Sequence, residues 1–222
     1  MVGHVLDKLA ELPDESVHCI VTSPPYWGLR DYGIPPVIGP AEEYAPMAGL
    51  APIRIPGDEA CEHEWGQDLL TTKIQVYKAE TGRKHKEPEL REQTRTCEQR
   101  KHVQFCLLCG AWRGCLGLEP PIEAYVGHMV LICRDLRRVL RKDGVFFLNM
   151  GDSFAGSGGA HKDYHKNPGL SKSAQRDGVP LAEPPRCLKP KDLCGIPWRL
   201  ALALQADGWW LRSRIPWLKR NA

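Results

Sequence analysis

Val17-His18-Cys19-Ile20-Val21-Thr22-Ser23-Pro24-Pro25-Tyr26 is an apolar run that ends in small polar residues, two prolines and an aromatic ring. The continuous run from Val17 to Val21, with its β-branched members, predicts a strand buried on both faces. Each proline removes a backbone donor and fixes φ, and each pushes the residue before it towards extended backbone. Ser23 is therefore presented on a stiff turn, with the Pro24 carbonyl available as an acceptor and the Tyr26 ring two residues on. An exocyclic NH2 offers two donors, which a hydroxyl and a carbonyl together can take. An ordinary strand-ending Pro-Pro turn is the plainer reading of the same four residues.

Outward from this stretch, helical and apolar segments alternate. Val5, Leu6, Leu9 and Leu12 repeat at helical spacing over residues 4–12, ending at Pro13. Residues 33–60 are rich in Pro, Gly and Ala and read as loop. Ile122, Tyr125, Val126, Met129, Cys133, Leu136 and Leu140 mark one face of a helix that starts after Pro120-Pro121. Asp143-Gly144 then turns the chain into a second strand, Val145 to Asn149. Residues 151–187 read as a long mobile loop, residues 190–206 as another helix closed by Asp207-Gly208, and Trp209 to Trp217 as a third strand. Such alternation implies an α/β sheet with crossover connections, whose ligands bind beyond the carboxyl ends of the strands. Ser23-Pro24-Pro25-Tyr26 and Gly151-Asp152-Ser153 both lie there by pattern alone.

The 222 residues suffice for one domain with a small insertion. With 42% hydrophobic and 26% charged residues the composition is that of an ordinary globular protein. No apolar run approaches the ~20 residues of a membrane span. The start, Met1-Val2-Gly3-His4, lacks the basic-then-apolar pattern of a secretory signal, so the expected location is cytoplasmic. A net charge of +3 says little about partners. Nine Lys/Arg against five Glu between Lys73 and Lys101, and the group Arg134, Arg137, Arg138, Arg141 and Lys142, suit either phosphate contacts or a solvated surface.

Nine cysteines without an export signal argue against a disulfide framework and for metal ligands or buried thiols. Cys106-Leu107-Leu108-Cys109-Gly110 has knuckle spacing, and Cys61-Glu62-His63 supplies a second pair, so Cys61, His63, Cys106 and Cys109 form a candidate structural zinc set. Cys97 and Cys115 are possible substitutes, and scattered free thiols are the alternative. Cys19, Cys133, Cys187 and Cys194 read as buried or incidental.

The segment from Leu12 to Gly33, centred on Ser23-Pro24-Pro25-Tyr26-Trp27-Gly28, resembles the amino-methylating DNA methyltransferases, the N4-cytosine and N6-adenine family. Arg138 to Ser153 and then Gly208 to Ile215 match in the order of that family's β-type members, catalytic half first. The resemblance covers most of the chain outside residues 41–115. It implies a partial Rossmann-like, S-adenosylmethionine-dependent methyltransferase sheet built from residues 1–40 and 116–222. Residues 41–115 would be a small zinc-binding insertion. It further implies that Ser23, Pro24, Pro25 and Tyr26 are catalytic and that Thr22, Ser23, Asp152 and Ser153 face the cofactor. The partner would be DNA, with the target base flipped out of the duplex. Ser at the first motif position favours N4 of cytosine over N6 of adenine.

The family's target-recognition region and its Phe-x-Gly-x-Gly cofactor loop are not found within residues 1–222, and His4 stands where an acidic residue is usual. The resemblance therefore leads to the expectation of a fragment, one half of a split enzyme or a degenerate phage-like gene. Such a chain should bind S-adenosylmethionine poorly by itself and need a C-terminal half as partner. A zinc-containing DNA-binding protein without activity, and methylation of RNA or of a protein amide, are the competing readings.

Overall fold

The computed structural model describes residues 3–28, 32, 34–67, 70–75, 96–101, 103–155, 188–189 and 192–218, with backbone alone for 70–75 and 96–101. In chain order the elements are α1 (Val5–Ala10), β1 (Val17–Thr22), β2 (Val37–Ile38), β3 (Glu42–Tyr44), β4 (Ile53–Ile55), β5 (Leu70–Gln75) and β6 (Thr96–Lys101). They continue with β7 (Gln104–Phe105), β8 (Trp112–Gly114), α2 (Ile122–Val139), β9 (Leu140–Leu148) and α3 (Ile196–Ala206). Most of the expected loop at 151–187 lies outside the described residues, as does Cys187.

β1 and β9 pair in parallel, Cys19 opposite Val145 through Thr22 opposite Leu148, with α2 preceding β9 in the chain. This is the expected strand–helix–strand arrangement. One boundary differs. β9 begins at Leu140, paired with Val17, and the register shifts before Cys19 meets Val145. Asp143-Gly144 is thus an irregularity inside a strand, not a turn ahead of one.

α2 carries the core. Ile122, Tyr125, Val130 and Cys133 are fully buried. Its first turn holds Glu123 and its last turn Arg137 and Arg138, which complements the helix dipole at both ends. Ile196, Leu200, Ala203 and Leu204 of α3 join the same cluster, with Phe146 and Leu148 of β9 packed beside it. Arg134 ties the layers together, donating from Nε to Asp207 at 2.8 Å, from Nη2 to the Glu43 carbonyl at 3.1 Å, and also to Glu42.

β1 is not buried on both faces. Val21 is 73% exposed, and its partner Phe147 is 50% exposed. A two-stranded ladder covered by α2 protects one face only; among the described residues nothing covers the other. The same explains Cys19, which is exposed although it lies within an apolar pattern.

The third strand at 209–217 is a correction. Residues 209–218 form no ladder among the described residues, and from Trp210 onward their side chains are exposed. β-propensity does not make a strand without a partner edge. Trp209 is docked, its ring 5.1 Å from that of Phe146, and the Arg214 guanidinium lies 5.1 Å from the Trp198 ring. Short strands replace part of the loop expected at 33–60. β3 and β4 form an antiparallel pair whose Tyr44 and Ile55 enter the main core. The Tyr44 hydroxyl donates to the Glu123 carbonyl of α2 at 3.0 Å. Residues 42–55 are therefore seated on α2 and do not stand apart from it.

Among the described residues no helix is long and apolar enough to cross a membrane.

Candidate functional site at the strand ends and the Cys/His cluster

The carboxyl ends of β1 and β9 lie side by side, joined by the Asn149 N–H donating to the Thr22 carbonyl at 2.9 Å. Ser23 to Tyr26 and Gly151 to Ser153 therefore emerge together. Ser23 is exposed, and Pro24, Pro25 and Tyr26 are half-buried. The turn is braced from several sides. The Tyr125 hydroxyl donates to the Pro25 carbonyl at 2.8 Å, and the Trp27 indole N–H donates to the Glu119 carbonyl at 2.8 Å. The Gly28 N–H donates to the Gly117 carbonyl at 2.8 Å. Burial, and secondarily the Glu119 charge, push the Tyr125 phenol well above its ordinary range. It therefore remains a neutral donor.

The Tyr26 ring packs against Gly151: a Cβ there would stand 2.7 Å from Cδ2 of the ring. Asp152 accepts from the Ser153 N–H at 2.9 Å and from the Ile196 N–H at 3.1 Å on Oδ1, and from the Gly195 N–H at 3.1 Å on Oδ2. It thus caps the start of α3, which explains why this helix begins at Ile196 and not near Pro190.

The Cys/His set converges as well. One ligand atom from each of Cys61, His63, Cys106 and Cys109 lies within 4.8 Å of all the others. The Cys61 and Cys106 sulfurs are 3.9 Å apart, and the Cys109 sulfur is 3.5 Å from His63 Nδ1. A tetrahedral ion about 2.3 Å from sulfur and 2.0–2.1 Å from nitrogen would separate sulfurs by about 3.8 Å and sulfur from nitrogen by about 3.6 Å. The donor set fits zinc. The turn from β7 to β8 builds it: the Cys106 N–H donates to the Ala111 carbonyl at 2.8 Å and the Gly110 N–H to the Cys106 carbonyl at 3.0 Å. Gly110 has φ +76°, the left-handed conformation that lets the backbone pass under the sulfurs. Desolvation, and hydrogen bonds that the Cys61 thiol gives to Cys109 and Cys106, push this thiol up to about 12. For Cys106 desolvation acts upward too, but bonds from the Cys109 backbone, His63 and the Leu108 backbone prevail and lower it to about 6. Cys115 is not part of the cluster, its thiol donating to the Ile34 carbonyl at 3.2 Å. The side chain of Cys97 lies outside the described residues.

The basic group near the end of α2 is committed internally. Arg138 donates to the Leu9 and Leu12 carbonyls at 2.8 and 3.1 Å, Arg141 pairs with Asp143 at 2.9 Å, and Lys142 faces Glu15 at 3.4 Å. The side chains of the run from Lys73 to Lys101 lie outside the described residues.

Sequence reasoning missed one constellation, the buried pair Glu119 and His128. A carboxylate only accepts, so His128 Nδ1 donates to Glu119 Oε1, at 3.0 Å. Glu119 Oε2 takes the Gly117 N–H at 2.7 Å. Both residues sit within apolar surroundings, at 2% and 5% exposure. The available signal was His128 on the apolar face of α2, one turn after Ala124 and Tyr125.

A parallel strand–helix–strand unit with a Ser-Pro-Pro-Tyr turn at its strand ends is the arrangement that the resemblance to the amino-methylating methyltransferases implied. The family model described as DNA methylase, for N6 and N4 methyltransferases, matches residues 17–222, and the chain belongs to that family. It is similar to the Type II methyltransferase M.Cfr9I of Citrobacter freundii, 33% identical over 99% of this chain and 46% of the relative. M.SmaI of Serratia marcescens is 31% identical over 100% of this chain and 47% of the relative. M.SfiI of Streptomyces fimbriatus is 30% identical over 100% of this chain and 30% of the relative. The chain thus spans about half the length, or less, of these curated relatives. No solved structure matches it.

Proposed function

We propose that this chain carries the amine-binding catalytic part of a Type II DNA methyltransferase, acting on an exocyclic amine of a flipped base, with N4 of cytosine favoured. The observation that carries the reading is the convergence of the two parallel strand ends, with Tyr26 laid on Gly151. S-adenosylmethionine, the donor that family membership implies, supplies an electrophilic methyl group when bound. The work of the chain is positional. Ser23 and the Pro24 carbonyl accept the two amine hydrogens, which aims the nitrogen lone pair at the methyl carbon. Tyr26 stacks on the base, its ring packed close against Gly151. Rate then comes from orientation, with no covalent nucleophile.

Thr22, Ser23, Asp152 and Ser153 border the cofactor side in this reading. Asp152 Oδ1 already accepts two bonds and Oδ2 one, so a ligand hydroxyl or ammonium has one lone pair left to use. We assign Cys61, His63, Cys106 and Cys109 to structural zinc, because four protein ligands leave no open position for chemistry. In the division proposed from the sequence, residues 41–115 are the insertion that holds this metal and the remainder is the catalytic core. Residues equivalent to the rest of the relatives' length, in cis or in trans, would complete the donor site.

The test is transfer of a labelled methyl group from S-adenosylmethionine to DNA, followed by mass spectrometry of the digested nucleosides. The chain should be assayed alone and together with the C-terminal half of the M.Cfr9I relative. N4-methylcytosine is expected, with the yield reduced by Ser23→Ala and by Tyr26→Ala. A methyl group found on a ring carbon, or no transfer under either condition, would overturn the assignment.

A further inference from the structure

The buried Glu119–His128 pair has no place in the chemistry above, yet it is linked to two of the three bonds that brace the turn, those of Trp27 and Gly28. Glu119 Oε2 fixes the Gly117 N–H at 2.7 Å. The Gly117 carbonyl in turn receives the Gly28 N–H at 2.8 Å. The backbone carbonyl of Glu119 receives the Trp27 indole at 2.8 Å. Gly117 has φ +90°, and a Cβ there would stand 3.1 Å from the Tyr26 carbonyl and 3.2 Å from Pro25 Cβ. Residues 117–119 are thus a template on which Pro25 to Gly28 are laid. The carboxylate determines which way the template faces. Its second oxygen is held by His128 at 3.0 Å, and His128 is packed beside Trp112 of β8, ring centroids 5.1 Å apart.

We propose that Glu119, oriented by His128, is a positioning residue for the Ser-Pro-Pro-Tyr turn. The proposal rests on the amine-transfer reading for its consequence, but its physical content is a statement about the turn alone. Loss of the carboxylate frees the Gly117 peptide to rotate, which releases Gly28 and lets Tyr26 leave its place on Gly151. The β8 strand that follows the Cys/His cluster reaches the turn through Trp112 and this pair.

Amide hydrogen exchange on the full chain tests this without requiring activity. Glu119→Ala should accelerate exchange at Gly28 and Gly117 by roughly tenfold or more, with little change along α3. Glu119→Gln, whose amide oxygen still accepts from Gly117, should stay within about threefold of the unaltered chain. Leu204→Ala, in the same core but away from the turn, is the control for general loosening and should spare the difference between these two amides and their neighbours. Glu119→Asp withdraws the carboxylate by one methylene. It should accelerate the same two amides to a smaller extent, and it serves if Glu119→Ala does not fold. Where methyl transfer is measurable, kcat should fall by about tenfold in Glu119→Ala while KM for the donor stays within about twofold. Unchanged exchange at Gly28 and Gly117, or acceleration spread evenly over α2 and α3, would overturn the positioning role. Absence of methyl transfer by the unaltered chain both alone and with the C-terminal half of the M.Cfr9I relative would count against the proposed function and leave the exchange result standing.

Discussion

Replacing Tyr125 by phenylalanine removes one hydroxyl from the middle of the core and leaves the packing shape unchanged. Tyr125 is fully buried, and its hydroxyl donates to the Pro25 carbonyl at 2.8 Å. Two terms follow. The net value of a hydrogen bond between neutral groups is about 1 kcal/mol, and a sealed acceptor left without a donor costs about 1–3 kcal/mol. Pro25 is half-buried, so water can reach its carbonyl in part, and the lower end of that range applies. The expected loss is about 1–2 kcal/mol. For a chain of this size each kcal/mol moves Tm by about 2–4 °C, so Tm should fall by about 2–8 °C. The loss should not vary with pH between 6 and 9, because burial holds the phenol neutral far above its ordinary range. Thermal unfolding of the two proteins, followed by circular dichroism at several pH values, provides the measurement. An unchanged or raised Tm would show that the Tyr125–Pro25 bond does not hold the turn, and a loss that grew with pH would show that the phenol ionises in the folded state.

The zinc assignment predicts about one zinc per chain by elemental analysis, lost in Cys61→Ser or Cys109→Ser and retained in Cys115→Ser. Gly39→Ala should cost about 1–3 kcal/mol in urea unfolding, since the added methyl would stand 2.7 Å from His128 Nε2 and 2.9 Å from the Trp112 ring. Cys133 is fully buried, and burial, aided by the Asp207 charge, pushes its thiol up to about 12. It should resist a thiol reagent at pH 8 until the chain unfolds, whereas exposed Cys19 should be labelled in the native state; peptide mass spectrometry distinguishes the two.

Local chemistry was legible wherever it was dense. The Pro-Pro turn after β1, the apolar face of α2 and the spacing Cys106-x-x-Cys109 each carry their meaning within a few residues, and each is found at the place read from them. Boundaries that depend on partners were not legible. Asp143-Gly144 has the composition of a turn but lies inside β9, because pairing with β1 starts before it at Leu140 and resumes after it at Val145. Trp209 to Trp217 has the composition of a strand but pairs with nothing among the described residues.

The sequence by itself determined the family, the alternation of strand and helix, the place of the Ser-Pro-Pro-Tyr turn and the four metal-ligand candidates. These follow from side-chain type and short spacing, which act over one or two turns of backbone. The tertiary structure alone decided that Cys61 and His63 meet Cys106 and Cys109 across more than forty positions of chain. It alone showed that Arg138 of α2 is spent on the Leu9 and Leu12 carbonyls and that Arg141 and Lys142 of β9 face Asp143 and Glu15. It also showed that Glu119 binds the Gly117 N–H and receives the Trp27 indole, with His128 on its other carboxylate oxygen. Glu119 is almost a hundred positions from Trp27, and such a contact depends on which surfaces the fold brings together, a property no local pattern encodes.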